Sequence, residues 1–187
     1  MGCIYSYLFP TNHKILMFGL DAAGKISIIR YLKKKIGDNS DTPYYPYFTP
    51  KLNYKNQLSI IRINIGCCDG PRWARGETRK QMNQAFKNAK GIIFVIDSHD
   101  RDRLEEDFMD DFNYLLCHED LKNLPVLIMA NKQDLDSALS LEEIIKKIEI
   151  EKFKDKIWLA LGTSIITGEG IEEGLDWMIS ILNKTNN

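Results

Sequence analysis

The feature that most constrains the fold is a glycine-rich loop at residues 19–25, with the sequence Gly-Leu-Asp-Ala-Ala-Gly-Lys. The mostly apolar residues 13–18 before it predict a buried strand, and Ile28, Ile29 and Leu32 after it recur at helical spacing. A strand, a loop with this spacing and a helix together are typical of a phosphate-binding loop, in which glycines let backbone N–H groups face a phosphate. A plain turn with a surface lysine is the alternative, and the flanking strand and helix argue against it.

The residue after Lys25 departs from this motif. Ser or Thr is usual there because its side-chain oxygen ligates the Mg²⁺ ion that accompanies the nucleotide. Ile26 has no oxygen, and Ser27 is rotated by about 100° around the predicted helix. We therefore expect this part of the chain to hold magnesium poorly or not at all.

A second motif, Asn-Lys-Gln-Asp at residues 131–134, follows an apolar run at residues 125–130 that predicts a buried strand. Asp134 only accepts hydrogen bonds, so it can pair with both donors on the Watson–Crick side of guanine. Adenine would leave this carboxylate unpaired at a cost of about 1–3 kcal/mol. Asn131 can tie neighbouring loops together, and the stem of Lys132 can cover the face of the base. In isolation these residues would be a polar turn, but in this context they predict guanine binding.

A further strand is predicted at residues 156–161, and the loop that follows it completes the predicted base site. Backbone N–H groups of Ser164 and Ile165 can meet the guanine oxygen, which is a second discrimination against adenine. Predicted strands and helices alternate along the chain, which favours an α/β fold with a mostly parallel sheet, helices on both faces and ligand at the carboxyl ends of the strands. The predicted strands are 13–18, 52–56, 58–65, 91–97, 125–130 and 156–161, and the predicted helices are 25–36, 79–88, 101–117, 140–148 and 170–183.

Several segments carry a resemblance to a known family. They are Gly-Leu-Asp-Ala-Ala-Gly-Lys (19–25), Tyr-Lys-Asn (54–56), Gly-Ile-Ile-Phe-Val-Ile-Asp-Ser (91–98), Asp-Arg-Asp-Arg (100–103), Ala-Asn-Lys-Gln-Asp-Leu (130–135) and Glu-Gly-Leu-Asp-Trp (173–177). The chain resembles an ADP-ribosylation-factor-type (Arf or Arf-like) small GTPase. This resemblance implies a P-loop NTPase fold of the Ras-like G-domain type with a six-stranded sheet. It also implies GTP and GDP as ligands, effector and exchange-factor proteins as partners, and a role in vesicle trafficking.

The chain departs from this family's pattern in both switch regions. An ungapped alignment places Tyr44 where the family has a threonine that meets Mg²⁺ and the γ-phosphate, and only a shifted alignment would put Thr42 or Thr49 there. Asn64 replaces a carboxylate, Cys67 replaces a glycine, and Cys68 replaces the glutamine that orients the attacking water. These changes affect metal binding and water positioning but spare base recognition. They predict weak or absent intrinsic GTP hydrolysis and leave Mg²⁺ and enzymatic activity open.

We predict no catalytic residue and no metal ligand. The predicted nucleotide-binding residues are Gly19, Asp21, Ala22, Ala23, Gly24, Lys25, Ile26, Ser27, Gly66, Asn131, Lys132, Asp134, Ser164 and Ile165.

The N-terminal segment, residues 1–12, is predicted to be a lipidated, amphipathic extension of a G domain that spans residues 13–187. Gly2 lies in a sequence that fits N-myristoylation. One acyl chain anchors a protein only marginally, so Cys3 is a candidate for a second lipid. We expect a cytoplasmic protein that associates peripherally with the Golgi or another endomembrane.

Composition agrees with these predictions. The 187 residues carry a net charge of −1, so no basic field favours nucleic acid as a partner. The four cysteines have neither zinc-like spacing nor a disulfide framework. Two function classes remain open. The first is a membrane-associated nucleotide switch, and the second is a non-hydrolysing pseudo-GTPase adaptor that binds partners independently of the nucleotide state.

Overall fold

The computed structural model describes residues 13–38, 52–55, 58–62 and 82–185. The strands are β1 (His13–Phe18), β2 (Leu52–Tyr54), β3 (Leu58–Arg62), β4 (Gly91–Asp97), β5 (Val126–Asn131) and β6 (Trp158–Thr163). The main helices are α1 (Lys25–Lys35), α2 (Arg101–Arg103, a π-helical turn Leu104–Phe108, and Met109–Cys117), α3 (Leu141–Ile148) and α4 (Ile171–Lys184). Residues 82–86 are also helical.

The strands form one six-stranded sheet in the order β2-β3-β1-β4-β5-β6. Among the described strands only the β2–β3 pair is antiparallel, and the other four pairs are parallel. The register places Asp97 beside Asn131 and Asn131 beside Thr163, so three neighbouring strands end level with one another. The loops that follow β4, β5 and β6 therefore start at the same edge of the sheet.

The core has two layers because successive strand side chains point to opposite faces. On one face, Leu16 and Phe18 pack in the same cluster as Phe94 and the buried side of α2 and α3. On the other face, Ile15 and Met17 pack with α1 and α4. Because helices cover both faces of the sheet, the side chains of β1, β4 and β5 are almost continuously apolar.

Local sequence accounts for the ends of two helices. Ser140 caps α3, since its Oγ accepts the N–H of Glu143 while the Glu143 carboxylate accepts the N–H of Ser140. Asp100 caps α2 by accepting the backbone N–H of Arg103. No helix among the described residues is long and apolar enough to cross a membrane.

The predicted α/β class, with helices on both faces of a mostly parallel sheet, is confirmed. Most of the described boundaries lie within one residue of prediction; β5, for example, runs from Val126 to Asn131 rather than over residues 125–130. Three features differ by more. Strand β6 runs from Trp158 to Thr163 rather than over residues 156–161, because Val126 pairs in register with Trp158. Strand β2 stops at Tyr54 because Lys55 adopts a positive φ of 49°, which begins a turn. Helix α2 contains a π-helical turn that helical periodicity did not predict.

Candidate nucleotide-binding site

Two glycines in the loop between β1 and α1 are required by what surrounds them. A Cβ atom on Gly19 would lie 2.3 Å from the carbonyl oxygen of Val95 on the neighbouring strand. Gly24 has a φ of +102°, and its Cβ would lie 2.3 Å from Nδ2 of Asn131 and 3.1 Å from Cδ1 of Ile165. The loop therefore packs directly against the two other segments that the sequence predicts to bind the base.

Lys25, the first residue of α1, turns back into the loop. It is only 3% exposed, and its Nζ donates hydrogen bonds to the carbonyl oxygens of Gly19 (2.6 Å) and Leu20 (2.5 Å). The ammonium group thus lies on the inner side of the loop, beside the start of a helix whose free N–H groups favour negative charge. This is the arrangement that a phosphate group requires.

Asn131 joins the loop that carries the Asn-Lys-Gln-Asp motif (residues 131–134, the base loop) to the phosphate loop (residues 19–25). It is the last residue of β5 and is fully buried. Its Nδ2 donates to the carbonyl oxygen of Ala23 at 2.8 Å, and its Oδ1 accepts the hydroxyl of Thr163 at 3.4 Å. One amide side chain therefore connects three segments that are distant in sequence, as the prediction for Asn131 required.

Asp134 is exposed, and a hydroxyl group orients its carboxylate. Ser164 Oγ donates to Asp134 Oδ1 at 2.6 Å. The same oxygen accepts the backbone N–H groups of Ile166 (3.1 Å) and Thr167 (3.3 Å), which fixes the direction of the hydroxyl proton. The carboxylate is thus held between the β5 and β6 loops and exposed to solvent, as recognition of a base edge requires.

Lys132 has a partner that sequence reasoning missed. Its backbone φ is +70°, and its Nζ lies 2.5 Å from Oδ2 of Asp97. Asp97 is the last residue of β4 and is 8% exposed, and its other oxygen, Oδ1, accepts the backbone N–H of His99 at 3.0 Å. A carboxylate at the end of a strand next to the base motif was the available clue, but it depends on knowing that β4 lies beside β5.

Gln133 and Arg103 also support the site through hydrogen bonds, and neither role was predicted from the sequence. Gln133 donates from Nε2 to Ser98 Oγ (2.8 Å) and to the carbonyl oxygen of Leu139 (2.9 Å), which shapes the base loop. Arg103 donates from Nη2 to the backbone oxygen of Asp21 at 3.4 Å. It therefore connects α2 to the phosphate loop.

Arg103 is itself held by Asp100, which accepts from its Nε at 2.7 Å and also from its Nη2. The hydrogen bond with Asp100 raises the pKa of the Arg103 guanidinium. Burial would raise the pKa of the Asp100 carboxyl, but the hydrogen bonds and charge of Arg103 outweigh burial and hold this pKa below its ordinary value. Both groups are therefore charged near neutral pH.

The structure brings most of the predicted residues together, and Ile26 and Ser27 follow Lys25 in the first turn of α1. Ser27 is exposed on α1, and Ile26 is partly buried. Gly66, the switch residues around it, and the lipidation candidates Gly2 and Cys3 lie outside the described residues. The predicted residues that meet at one edge of the sheet are Gly19, Asp21, Ala22, Ala23, Gly24, Lys25, Asn131, Lys132, Asp134, Ser164 and Ile165.

The donor chemistry of the phosphate loop does not suit a magnesium ion. The side chain of Ile26 offers no oxygen where the motif supplies one. Within residues 13–38, 52–55, 58–62 and 82–185, no group of three or more His, Cys, Asp or Glu side chains could hold a metal ion.

The fold and site together define a class. A phosphate loop after β1 and an Asn-Lys-Gln-Asp motif at the end of β5, joined at the carboxyl edge of a mostly parallel sheet, are the parts of a P-loop G domain. A sequence model of the ADP-ribosylation factor family matches residues 3–182. The chain therefore belongs to the ADP-ribosylation factor (Arf) family of GTP-binding small GTPases, which confirms the resemblance drawn from its motifs.

A solved structure shows the same fold. It is the Arl6 BBS3 small GTPase from Trypanosoma brucei, determined with a bound nucleotide analogue, GppNp. The match has a TM-score of 0.73 and 23% sequence identity, and it covers 93% of this chain and 99% of that chain. At this identity the likeness supports the fold, while the site rests on the contacts described above.

Proposed function

We propose that this chain binds guanine nucleotides as a membrane-associated Arf-family protein of vesicle trafficking, with weak or absent intrinsic GTP hydrolysis. The observation that carries the binding part of the proposal is the 2.8 Å hydrogen bond from Asn131 to Ala23. It joins the phosphate loop to the base loop directly, so a ligand with a base at one end and phosphates at the other would contact both. GTP and GDP are such ligands.

Guanine specificity is assigned to Asp134. Its carboxylate would accept the ring N–H and the exocyclic amine of guanine, and Ser164 holds it in place for this. Asp134→Asn replaces one acceptor oxygen with a donor. Because xanthine carries a carbonyl oxygen in place of the exocyclic amine, the variant should lose GDP affinity by about 10- to 100-fold and bind xanthosine diphosphate better than wild type does.

Isothermal titration with GDP, GTP, ATP and xanthosine diphosphate tests this assignment. The titration with xanthosine diphosphate is the folding control, because a misfolded variant would bind neither GDP nor xanthosine diphosphate. Unchanged GDP affinity in Asp134→Asn would contradict the base assignment. ATP binding as tight as GTP binding would contradict guanine specificity itself.

Weak hydrolysis is proposed because Ile26 supplies no metal ligand. In addition, Asn64, Cys67 and Cys68 replace the residues that the family uses for the metal-bound water, the γ-phosphate and the attacking water, respectively. Single-turnover cleavage of GTP, with and without Mg²⁺, measures this directly. We expect a rate several orders of magnitude below that of a relative with an intact motif, and little response to metal. The variant Ile26→Thr restores the missing oxygen. A fast, metal-dependent rate in the wild-type chain would refute the proposal.

Membrane association is proposed from the N-terminal sequence, in which Gly2 fits the myristoylation pattern and Cys3 offers a second acylation site. Co-expression with an N-myristoyltransferase and an alkyne-tagged myristate should label the wild type but not Gly2→Ala. The labelled protein should sediment with liposomes, and Cys3→Ser should weaken retention in cells where palmitoylation occurs. Absence of label on the wild type would remove this part of the proposal.

The missing oxygen at Ile26 also favours the second candidate, an adaptor that binds partners independently of the nucleotide state. In that case GDP and GTP would bind with equal affinity, indifferent to Mg²⁺, and a partner would be captured equally well from either form. A switch instead requires a partner whose affinity differs between the two forms. Pull-down with nucleotide-free, GDP-loaded and GTP-loaded protein separates the two candidates.

A further inference from the structure

The ion pair between Asp97 and Lys132 is built into the end of the sheet. Asp97 closes β4, and the register puts it beside Asn131, the residue before Lys132. Its carboxylate is nearly buried and uses both oxygens, Oδ1 for the N–H of His99 and Oδ2 for Nζ of Lys132 at 2.5 Å. A carboxylate anchored in this way has little rotational freedom, so the direction of the lysine ammonium is set by the sheet.

Lys132 would otherwise be a mobile side chain. A free lysine loses about 2 kcal/mol of rotamer entropy when it is ordered. Here the side chain is about one-third exposed, its backbone has a positive φ of 70°, and its far end is fixed on the neighbouring strand. The aliphatic stem therefore spans from the β5 loop to the end of β4 before any ligand arrives.

We propose that Asp97 is a positioning residue for the nucleotide site: it orders the stem of Lys132 so that the stem forms a preformed apolar wall for the face of the base. This inference rests on the proposed guanine-nucleotide binding and deepens it. Preorganisation removes an ordering cost from binding, and its loss appears mainly as faster ligand dissociation. The carboxylate acts through Lys132 and does not itself touch the nucleotide.

The test is a double-mutant cycle on the full chain loaded with N-methylanthraniloyl-GDP, with dissociation followed by fluorescence. Asp97→Asn keeps the size of the side chain but removes the charge, and Lys132→Met keeps an apolar stem but removes the ammonium. We expect Asp97→Asn to accelerate dissociation about tenfold. In the Lys132→Met background the same change should have less than a twofold effect, because the group it acts through is gone.

Asp176→Asn is the matched control. Asp176 also pairs with a lysine, Lys55, at 2.7 Å, but this pair lies by the β2–β3 turn. That turn precedes β3, which is parallel to β1, so it lies at the opposite edge of the sheet from the site. This variant should change dissociation by less than twofold. Asp97→Glu, which keeps the charge, should fall between wild type and Asp97→Asn, and it provides a second measurement if Asp97→Asn fails to fold.

The possible results distinguish a failure of the inference about Asp97 from a failure of the proposed function. If the double variant of Asp97→Asn and Lys132→Met dissociates at a rate that is the product of the two single effects, the inference is overturned. The same holds for the pair Asp97→Glu and Lys132→Met. An unchanged dissociation rate in Asp97→Asn would also overturn it. A changed preference for GDP over inosine diphosphate in Asp97→Asn would show that Asp97 acts through Asp134 instead, which also overturns it. If the wild-type chain binds no GDP, the proposed function fails and the inference fails with it. If the wild-type chain binds GDP and Asp134→Asn weakens that binding, the proposed function stands. An unchanged dissociation rate in Asp97→Asn would then overturn only the inference about Asp97.

Discussion

Replacing Gly24 with alanine tests whether the phosphate loop and the base loop are coupled as the structure describes. Gly24 has a φ of +102°, and a Cβ atom there would lie 2.3 Å from Nδ2 of Asn131. That nitrogen is the donor of the 2.8 Å hydrogen bond to Ala23. The substitution therefore has two separable effects, a backbone strain and the displacement of a fully buried amide.

The magnitude follows from these two effects. A non-glycine residue at positive φ costs about 1–2 kcal/mol. Moving the Asn131 amide leaves a buried donor and a buried carbonyl poorly satisfied, which costs about 1–3 kcal/mol. We therefore expect a loss of about 3 kcal/mol of unfolding free energy. For a chain of this size that loss corresponds to a fall of about 6–12 °C in Tm.

The assay is thermal unfolding of the nucleotide-free protein by circular dichroism, with Gly37→Ala as the control. Gly37 also has a positive φ, of +73°, but its Cβ would have nothing within 4 Å. Gly37→Ala should therefore lose only the strain term, about 1 kcal/mol or 2–4 °C. Equal shifts for the two variants would refute the claimed packing of Gly24 against Asn131.

Three other predictions address the site and the scaffold. Ser164→Ala removes the 2.6 Å hydrogen bond that orients Asp134, so it should weaken GDP binding about tenfold in isothermal titration, and unchanged affinity would show that Ser164 has no orienting role. Ser140→Ala removes the cap of α3 and should lower the unfolding free energy measured in urea by about 1 kcal/mol, whereas an unchanged midpoint would argue against the cap. The backbone hydrogen bond from Ser140 holds the pKa of Glu143 below its ordinary value of 4.5, so the stability that Glu143 adds is complete above pH 4.5 and is lost as the pH falls through the lower folded pKa. Urea midpoints measured down through this range should therefore fall less in Glu143→Gln than in wild type, and parallel curves would contradict the linkage.

The segments predicted best were those in which one contiguous stretch carries all the information. The apolar run His13–Phe18, the glycines of the loop and the helical spacing in Lys25–Lys35 are local properties, and the structure has each element within one residue of its predicted place. The strand Val126–Asn131 lies one residue further along the chain than predicted, and the Asn-Lys-Gln-Asp motif begins at its last residue. In such segments periodicity and the conformational demands of glycine act over a few residues, so no knowledge of neighbours is needed.

The β6 boundary and the π-helical turn in α2 were predicted incorrectly or not at all. Lys156 and Ile157 are as compatible with a strand as the residues after them, and only pairing with Val126 decides that the strand starts at Trp158. The turn Leu104–Phe108 belongs to a helix with an ordinary apolar stripe. For β6 the deciding interaction comes from the neighbouring strand, where tertiary pairing overrides local preference. Nothing in the structure explains the π-helical turn.

The sequence alone determined that this chain has a phosphate loop, a guanine-type base motif and the alternation of an Arf-family α/β domain, because these depend on residues close together along the chain. Only the tertiary structure decided which side chains complete the site. Asn131 meets Ala23 across 108 positions, Arg103 meets Asp21 across 82, and Lys132 meets Asp97 across 35. These contacts follow from the strand order, which brings the ends of distant segments to one edge of the sheet and cannot be read from the spacing of residues within any one of them.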